Sequence, residues 1–208
     1  MKNSWKIIAL LLAMALVILS LKDLSLPTEN VSVVDSETVA LENIFSRSSI
    51  RSYSDKKIEN DKIEILLKAA MSAPTAGNSQ PWEFFVVSDT SIIKQFSKVS
   101  KSMTPMNELS SLAIIVCGVP ELSFQSLPLY WVQDCSAASE NILLASNAMG
   151  LGSVWCGVHP REQRVGMVRE LVGIPDNLVP LNIIMLGYAN VEAVVKDKWK
   201  PERVHYVK

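Results

Sequence analysis

Apolar residues are distributed along this chain in two distinct ways. From Ile7 to Leu19 they run without a polar interruption. Beyond residue 35 they recur at helical spacing or in short runs of strand length, and the alternation sets an element order. Val39, Leu41, Ile44 and Phe45 predict a first helix, with Asp35 and Ser36 available to cap it. Ile63, Leu66, Leu67, Ala70 and Met71 predict an amphipathic helix over 59–72, and Phe84, Phe85, Val86 and Val87 a strand over 83–88. Asp89 can cap a short helix reaching Lys98. Residues 99–110 carry no clear period, whereas 112–117 are apolar throughout and end at Gly118, as in a strand buried on both faces.

The longest helix is expected over 130–149. Val132, Cys135, Ala137, Ala138, Ile142, Leu143, Leu144 and Ala145 leave it few polar faces, so it should be buried throughout, in part by a second chain. Gly150 and Gly152 end it and lead into a strand over 153–158. Pro160 suits the first turn of a helix that reaches Leu171 and stops at Gly173, and Pro180 precedes a last apolar strand over 181–186. Helices alternating with four apolar strands predict a mixed α+β layer architecture. No Gly-x-Gly-x-x-Gly follows a first strand, which argues against a dinucleotide-binding Rossmann domain.

The chain of 208 residues suits one domain with a sizeable core. Its boundaries are read as 1–21 for an N-terminal segment, 22–40 for a mixed, Pro27-containing tether and 41–208 for the domain. Lys2 and Lys6 before the apolar run give the layout of a signal peptide, and 7–21 counts 15 residues against the ~20 of a comfortable membrane span. Export or membrane attachment through 7–21 is therefore expected, with an extracytoplasmic domain. No clear cleavage site follows, so cleavage and retention both stay open, as does a start that includes residues outside the working protein.

A formal net charge of −1 with both signs interspersed gives no nucleic-acid-binding patch. Cys117, Cys135 and Cys156 are widely spaced in apolar surroundings, and with only His159 and His205 beside them no metal site is expected. No Ser-His-Asp, Cys-His or paired-carboxylate set is legible. Cys156 and His159 lie close in sequence without spacing that ensures contact, and Asp134 and Glu140 are expected to make capping or interface bonds.

Two segments concentrate the chemistry. Residues 74–82, Pro-Thr-Ala-Gly-Asn-Ser-Gln-Pro-Trp, bring small side chains and the amides of Asn78 and Gln80 to a loop where a planar ligand can approach the backbone. Residues 46–53, Ser-Arg-Ser-Ser-Ile-Arg-Ser-Tyr, alternate cations with hydroxyls, a combination that suits a phosphate and an attached polyol. With Gly-Leu-Gly-Ser-Val-Trp-Cys-Gly-Val at 150–158 and Lys-Asp-Lys-Trp at 196–199, they occur in an order and spacing that resembles the nitroreductase family over roughly residues 41–208.

The resemblance implies a three-layer α+β fold, a mixed sheet flanked by helices in an intertwined homodimer, with bound FMN and NAD(P)H as transient reductant. It implies that Arg47, Ser48, Ser49, Lys196 and Lys198 contact the FMN phosphate and ribityl chain, and that Arg51 meets the N1/C2 edge. Many relatives carry arginine where Lys198 stands; lysine keeps the charge without the bidentate fork. Pro74, Thr75, Ala76, Asn78 and Gln80 are expected to line the ring, the loop coming from the partner chain. Trp155, Cys156 and Gly157 are expected beside N5, with no catalytic side chain because the chemistry is flavin-centred. In such enzymes the region equivalent to 99–110 is often a mobile substrate cover. The implied activity is hydride transfer from NAD(P)H to a nitro, quinone or other electron-poor acceptor by a ping-pong mechanism. A flavin-binding protein without turnover is the other class. Reductive dehalogenation is a sister activity, disfavoured because residues 99–110 hold Lys101, Met103, Met106 and Glu108 but no tyrosine. FMN and NAD(P)H are cytoplasmic, in tension with the N-terminal signal; a cytoplasmic location is the alternative.

Overall fold

The computed structural model describes residues 36–103, 109–127 and 129–208, and their compact unit spans Ala40–Lys208. The apolar run at 7–21, residues 22–35 of the tether and 104–108 within the 99–110 stretch lie outside the described residues. Among those described, no helix is long and apolar enough to cross a membrane.

Helices α1 (Ser36–Ser46), α2 (Asn60–Met71), α3 (Thr90–Val99), α4 (Tyr130–Ala148) and α5 (Glu162–Val172) accompany strands β1 (Trp82–Val87), β2 (Leu112–Gly118), β3 (Gly152–Gly157) and β4 (Val179–Gly187). The α3 start is capped as expected, Asp89 Oδ1 accepting from the Ser91 N–H at 2.7 Å. At α5, Gly173 is the left-handed stop with φ +74°, but Pro160 lies in the turn before the helix and Arg161 is the N-cap.

Sheet order is β1-β2-β4-β3 with every neighbouring pair antiparallel. This corrects the expected mixed sheet. β1 and β2 meet with Val87 opposite Ala113, so the chain leaves and re-enters at one end of the sheet. α4 does carry the chain from the end of β2 across to the start of β3, which makes those two strands run the same way. β4 inserts between them, so no parallel ladder forms; the parallel pairing recorded among the described residues is the isolated bridge Ser49–Ser153.

The central strands alternate between two apolar layers. Leu112, Ile114, Val116, Ile184 and Leu186 pack with Leu66 and Ala70 of α2 and with Cys135, Ala138 and Ile142 of α4. Ala113, Ile115, Cys117, Ile183 and Met185 pack on the other face with Ile93 and Phe96 of α3 and with Val165 and Val168 of α5. Three layers result, as expected. Each fully buried Ile or Leu contributes about 1.5–3 kcal/mol, so the two-sided sheet carries much of the stability. Pro180 falls inside β4 rather than before it. The register shifts there, with Val116 opposite Asn182 and Cys117 opposite Pro180, and a residue without an N–H is tolerated at such an irregularity.

Burial of α4 within one chain is one-sided. Trp131, Asp134, Cys135, Ala138, Ser139, Ile142, Leu143 and Ser146 are buried, whereas Gln133, Glu140 and Ala148 are exposed and Val132, Ala137, Leu144 and Ala145 are partly exposed. Within one chain only one side of the helix meets the sheet and α2, so its apolar character exceeds what a single chain covers.

Candidate functional site

The Arg-Ser segment reaches the sheet through Tyr53, which is fully buried. Its hydroxyl donates to the Ile50 carbonyl at 2.7 Å and lies 3.2 Å from the Met185 carbonyl, and burial raises the phenol's pKa so that it stays a donor. The ring rests on Gly187, where an added Cβ would come within 2.8 Å of Tyr53. Gly152 permits a second close approach: the Ile50 N–H donates to the Ser153 carbonyl at 3.0 Å, and a Cβ at 152 would meet the Ile50 side chain at 2.7 Å. Two glycines and one buried tyrosine therefore lay residues 47–53 across the ends of β3 and β4.

Thus anchored, Arg47, Ser48, Ser49 and Arg51 face the C-terminal tail. They line one open hollow of about 1050 Å³ together with Lys196, Lys198 and Trp199, segments about 145 residues apart in sequence. Arg47 Nε lies 3.3 Å from Glu140 Oε1 on α4, and Arg51 Nη1 donates to the Ser49 carbonyl at 3.3 Å. The Ser48 hydroxyl is buried without a partner among the described residues. Arginine and lysine cations gathered with serine hydroxyls on the walls of a hollow fit a phosphate, and an orphaned hydroxyl fits a further polar contact from a ligand. This donor set is compatible with FMN.

Trp155, Cys156 and Gly157 form the end of β3 and do not line that hollow, although the Arg51 guanidinium is near enough to act on Cys156. Burial pushes the Cys156 thiol up to about 11, and Arg51 and Arg164 offset part of the rise. Gly157 is exposed, with nothing within 4 Å of where a Cβ would stand, so a ligand has room beside the backbone. Arg164, which sequence reasoning passed over, donates from Nη1 to the Gly157 carbonyl at 2.9 Å. His159 does not pair with Cys156: its ring packs edge-on against Trp131 at 5.0 Å, on the α4 side, while Cys156 belongs to the opposite apolar layer.

Pro74, Thr75, Ala76, Asn78 and Gln80 lie apart from the hollow in the same chain. Their loop is held in an unusual shape, with positive φ at Gly77 (57°), Asn78 (55°) and Gln80 (48°). Gln80 Nε2 donates to Asn78 Oδ1 at 3.2 Å and the Gln80 N–H to Thr75 Oγ1 at 3.2 Å, so the two amides engage each other. The Ala76 N–H donates to Asp134 Oδ1 at 3.0 Å, so Asp134 fastens this loop to α4. Left-handed backbone at residues other than glycine costs about 1–3 kcal/mol and concentrates at functional sites. No sequence signal marks Asp134 or Arg164 as partners of these segments, because their spacing from them carries no period.

Comparison with known proteins follows the same segments. The pattern of the nitroreductase family matches residues 44–109 and 128–188. A protein of Archaeoglobus fulgidus provisionally named NADH dehydrogenase/NAD(P)H nitroreductase is 48% identical over 168 residues, covering 79% of this chain and 95% of its own. A crystal structure of a similarly named protein from Bacteroides thetaiotaomicron superposes with TM-score 0.75 at 41% identity, over 80% of this chain and 96% of that one. An FMN-dependent nitroreductase of Clostridium difficile gives TM-score 0.73 at 28% identity, over 81% of this chain and 99% of that one. The chain belongs to the nitroreductase family, and with it to the NAD(P)H-dependent flavin oxidoreductases that use FMN.

Proposed function

We propose that this protein passes reducing equivalents from NAD(P)H to nitro compounds, quinones or other electron-poor small molecules in a ping-pong cycle. The observation that supports this reading is the hollow in which Arg47, Ser48, Ser49 and Arg51 meet Lys196 and Lys198. FMN, when bound, supplies the two-electron chemistry, and the protein binds, orients and tunes it. Arg47, Ser48, Ser49 and the two lysines hold the phosphate and ribityl chain. Glu140 braces Arg47 through Nε, which restrains the guanidinium before the ligand arrives. Arg51 serves the N1/C2 edge, where a fixed cation favours the negative charge of the reduced ring.

The exposed backbone at Gly157 leaves one side open, so that reductant and acceptor take turns there. Cys156 stays a protonated thiol near neutral pH, and two-electron transfer needs no side-chain nucleophile. Pro74, Thr75, Ala76, Asn78 and Gln80 reach the ring from a second copy in a homodimer, which also covers the outer side of α4. Residues 1–21 export the chain or anchor it to a membrane; cell fractionation and sequencing of the mature N-terminus test that part.

The full chain is expected to purify yellow, to sediment as a dimer and to oxidise NAD(P)H when a quinone or nitroarene is present. Folded, colourless, monomeric protein that takes up no added FMN overturns the reading. Bound FMN without turnover of either acceptor class favours a flavin carrier or sensor.

A further inference from the structure

A second cationic hollow lies near the β3 end, where its lining residue Arg164 reaches the Gly157 carbonyl. It measures about 440 Å³ and is lined by Lys98, Lys101, Arg161 and Arg164 with the hydroxyls of Ser100 and Ser102. No carboxylate among the described residues lines it. Lys98 Nζ donates to Gln95 Oε1 at 3.1 Å, and the two serine oxygens are 2.9 Å apart. Lys101 and Arg161 are exposed, and their side chains make no ion pair or hydrogen bond with any described residue. Like charges gathered without a counter-charge raise the local potential and favour an anion there. Hydroxyls among them supply the short polar contacts that phosphate oxygens take.

One guanidinium ties this hollow to the proposed reaction side. Arg164 donates from Nη1 to the Gly157 carbonyl at 2.9 Å and from Nη2 to Ser100 Oγ at 3.2 Å. The hollow therefore begins one side chain's reach from the open backbone at Gly157. Cys156 feels both Arg51, which lines the first hollow, and Arg164, which lines the second. A nicotinamide that reacts beside Gly157 is joined through ribose to a pyrophosphate, which must lie only a few bonds away. The first hollow is taken by the phosphate of the cofactor; the second has the charge, size and position for a phosphate-bearing part of the reductant.

We propose that Lys98, Lys101 and Arg161, with the Ser100 and Ser102 hydroxyls, form the phosphate subsite for the nicotinamide nucleotide. The proposal rests on NAD(P)H as the reductant and on its reaction beside Gly157. The bound group is either the pyrophosphate, common to both nucleotides, or the 2′-phosphate that NADPH alone carries.

The test uses the full FMN-loaded chain and the double variant Lys101→Ala/Arg161→Ala, whose substitutions lie on exposed side chains. Removing two charge-assisted hydrogen bonds should raise KM by about tenfold or more. A rise for NADPH alone identifies the 2′-phosphate, a rise for both nucleotides identifies the pyrophosphate, and Lys101→Arg/Arg161→Lys should restore either. Unchanged KM for both nucleotides overturns the subsite. Calorimetry with inorganic pyrophosphate and adenosine 2′-monophosphate gives a readout that does not depend on turnover. Binding of one of these probes by the parent protein, abolished in the double variant, supports the subsite even if the parent oxidises neither nucleotide, an outcome that would count against the proposed function alone. Binding of neither probe by the parent protein overturns the subsite.

Discussion

Asp134 and Ala76 are joined by a 3.0 Å hydrogen bond, the Ala76 N–H donating to Oδ1 of a carboxylate that is only 5% exposed. The bond fastens the 74–81 loop to α4 across 58 residues of sequence, at the point where the loop enters its left-handed stretch. It holds strained backbone in place by a charge-assisted bond from a rigid element.

Replacing Asp134 by alanine should therefore destabilise the fold by about 1–3 kcal/mol, because the Ala76 N–H is left without its partner. Asp134→Asn keeps an acceptor and should cost less. Urea midpoints of the three proteins measure the difference, and equal midpoints would mean the loop holds its shape without this bond.

The tail lysines give a ligand-specific prediction. Lys196→Ala/Lys198→Ala should raise the Kd for FMN roughly 30- to 800-fold, taking about 1–2 kcal/mol for each charge-assisted hydrogen bond removed. Riboflavin, which has no phosphate, should be weakened much less. Titration of both ligands by fluorescence quenching checks this, and equal weakening would place the lysines away from the phosphate.

Arg51 donates to the Ser49 carbonyl at 3.3 Å and is otherwise exposed on the wall of the large hollow. Arg51→Met removes the cation while keeping much of the bulk. Weakening the binding of the reduced cofactor by about 1–3 kcal/mol lowers the bound midpoint potential by roughly 20–65 mV, at 30 mV per 1.4 kcal/mol. Spectroelectrochemistry at one pH reads the shift directly. An unchanged potential with FMN retained would turn Arg51 towards the phosphate or solvent.

Part of the acid sensitivity should trace to one surface cluster, in addition to the depressed carboxyls of Glu64 and Asp89. Tyr188 donates to Glu59 Oε2 at 2.6 Å while Lys62 Nζ donates to the Tyr188 hydroxyl at 2.7 Å. The tyrosine bond first, with Lys56 adding to it, brings the Glu59 carboxyl down from its ordinary 4.5 to about 2. A carboxyl depressed in the folded state adds stability that is complete above about 4.5 and is lost as pH falls towards 2. Tyr188→Phe keeps the ring under Lys56 but removes the hydroxyl, so the denaturation midpoint should fall less steeply across that window than in the parent protein. Identical slopes would assign the acid response to other carboxyls.

Much of the fold was legible because both kinds of element bury apolar residues at a period the sequence displays. Strands β1 to β4 and helices α1 to α5 stand within a few residues of their predicted places, and Asp89 and Gly173 punctuate them as their chemistry requires. The Arg-Ser segment was legible from its cations and hydroxyls, whereas Lys196 and Lys198 were joined to it only by the resemblance to the nitroreductase family. Strand order was not legible. Periodicity says which face of a strand is apolar and nothing of its neighbours, so the insertion of β4 between β2 and β3 emerged only with the backbone path. What covers α4 was not legible for the same reason: an apolar side chain announces a need for cover without saying which surface supplies it.

Long-range partners belong wholly to the tertiary structure. Tyr53 on Gly187, Asp134 on Ala76 and Arg164 on Gly157 each join segments with no periodic relation, and each depends on distances that form only after the layers pack. Residue types and their spacing along the chain determined what this protein can bind; the packing of three layers decided which of those groups face one another, because directional polar contacts need positions that local sequence does not set.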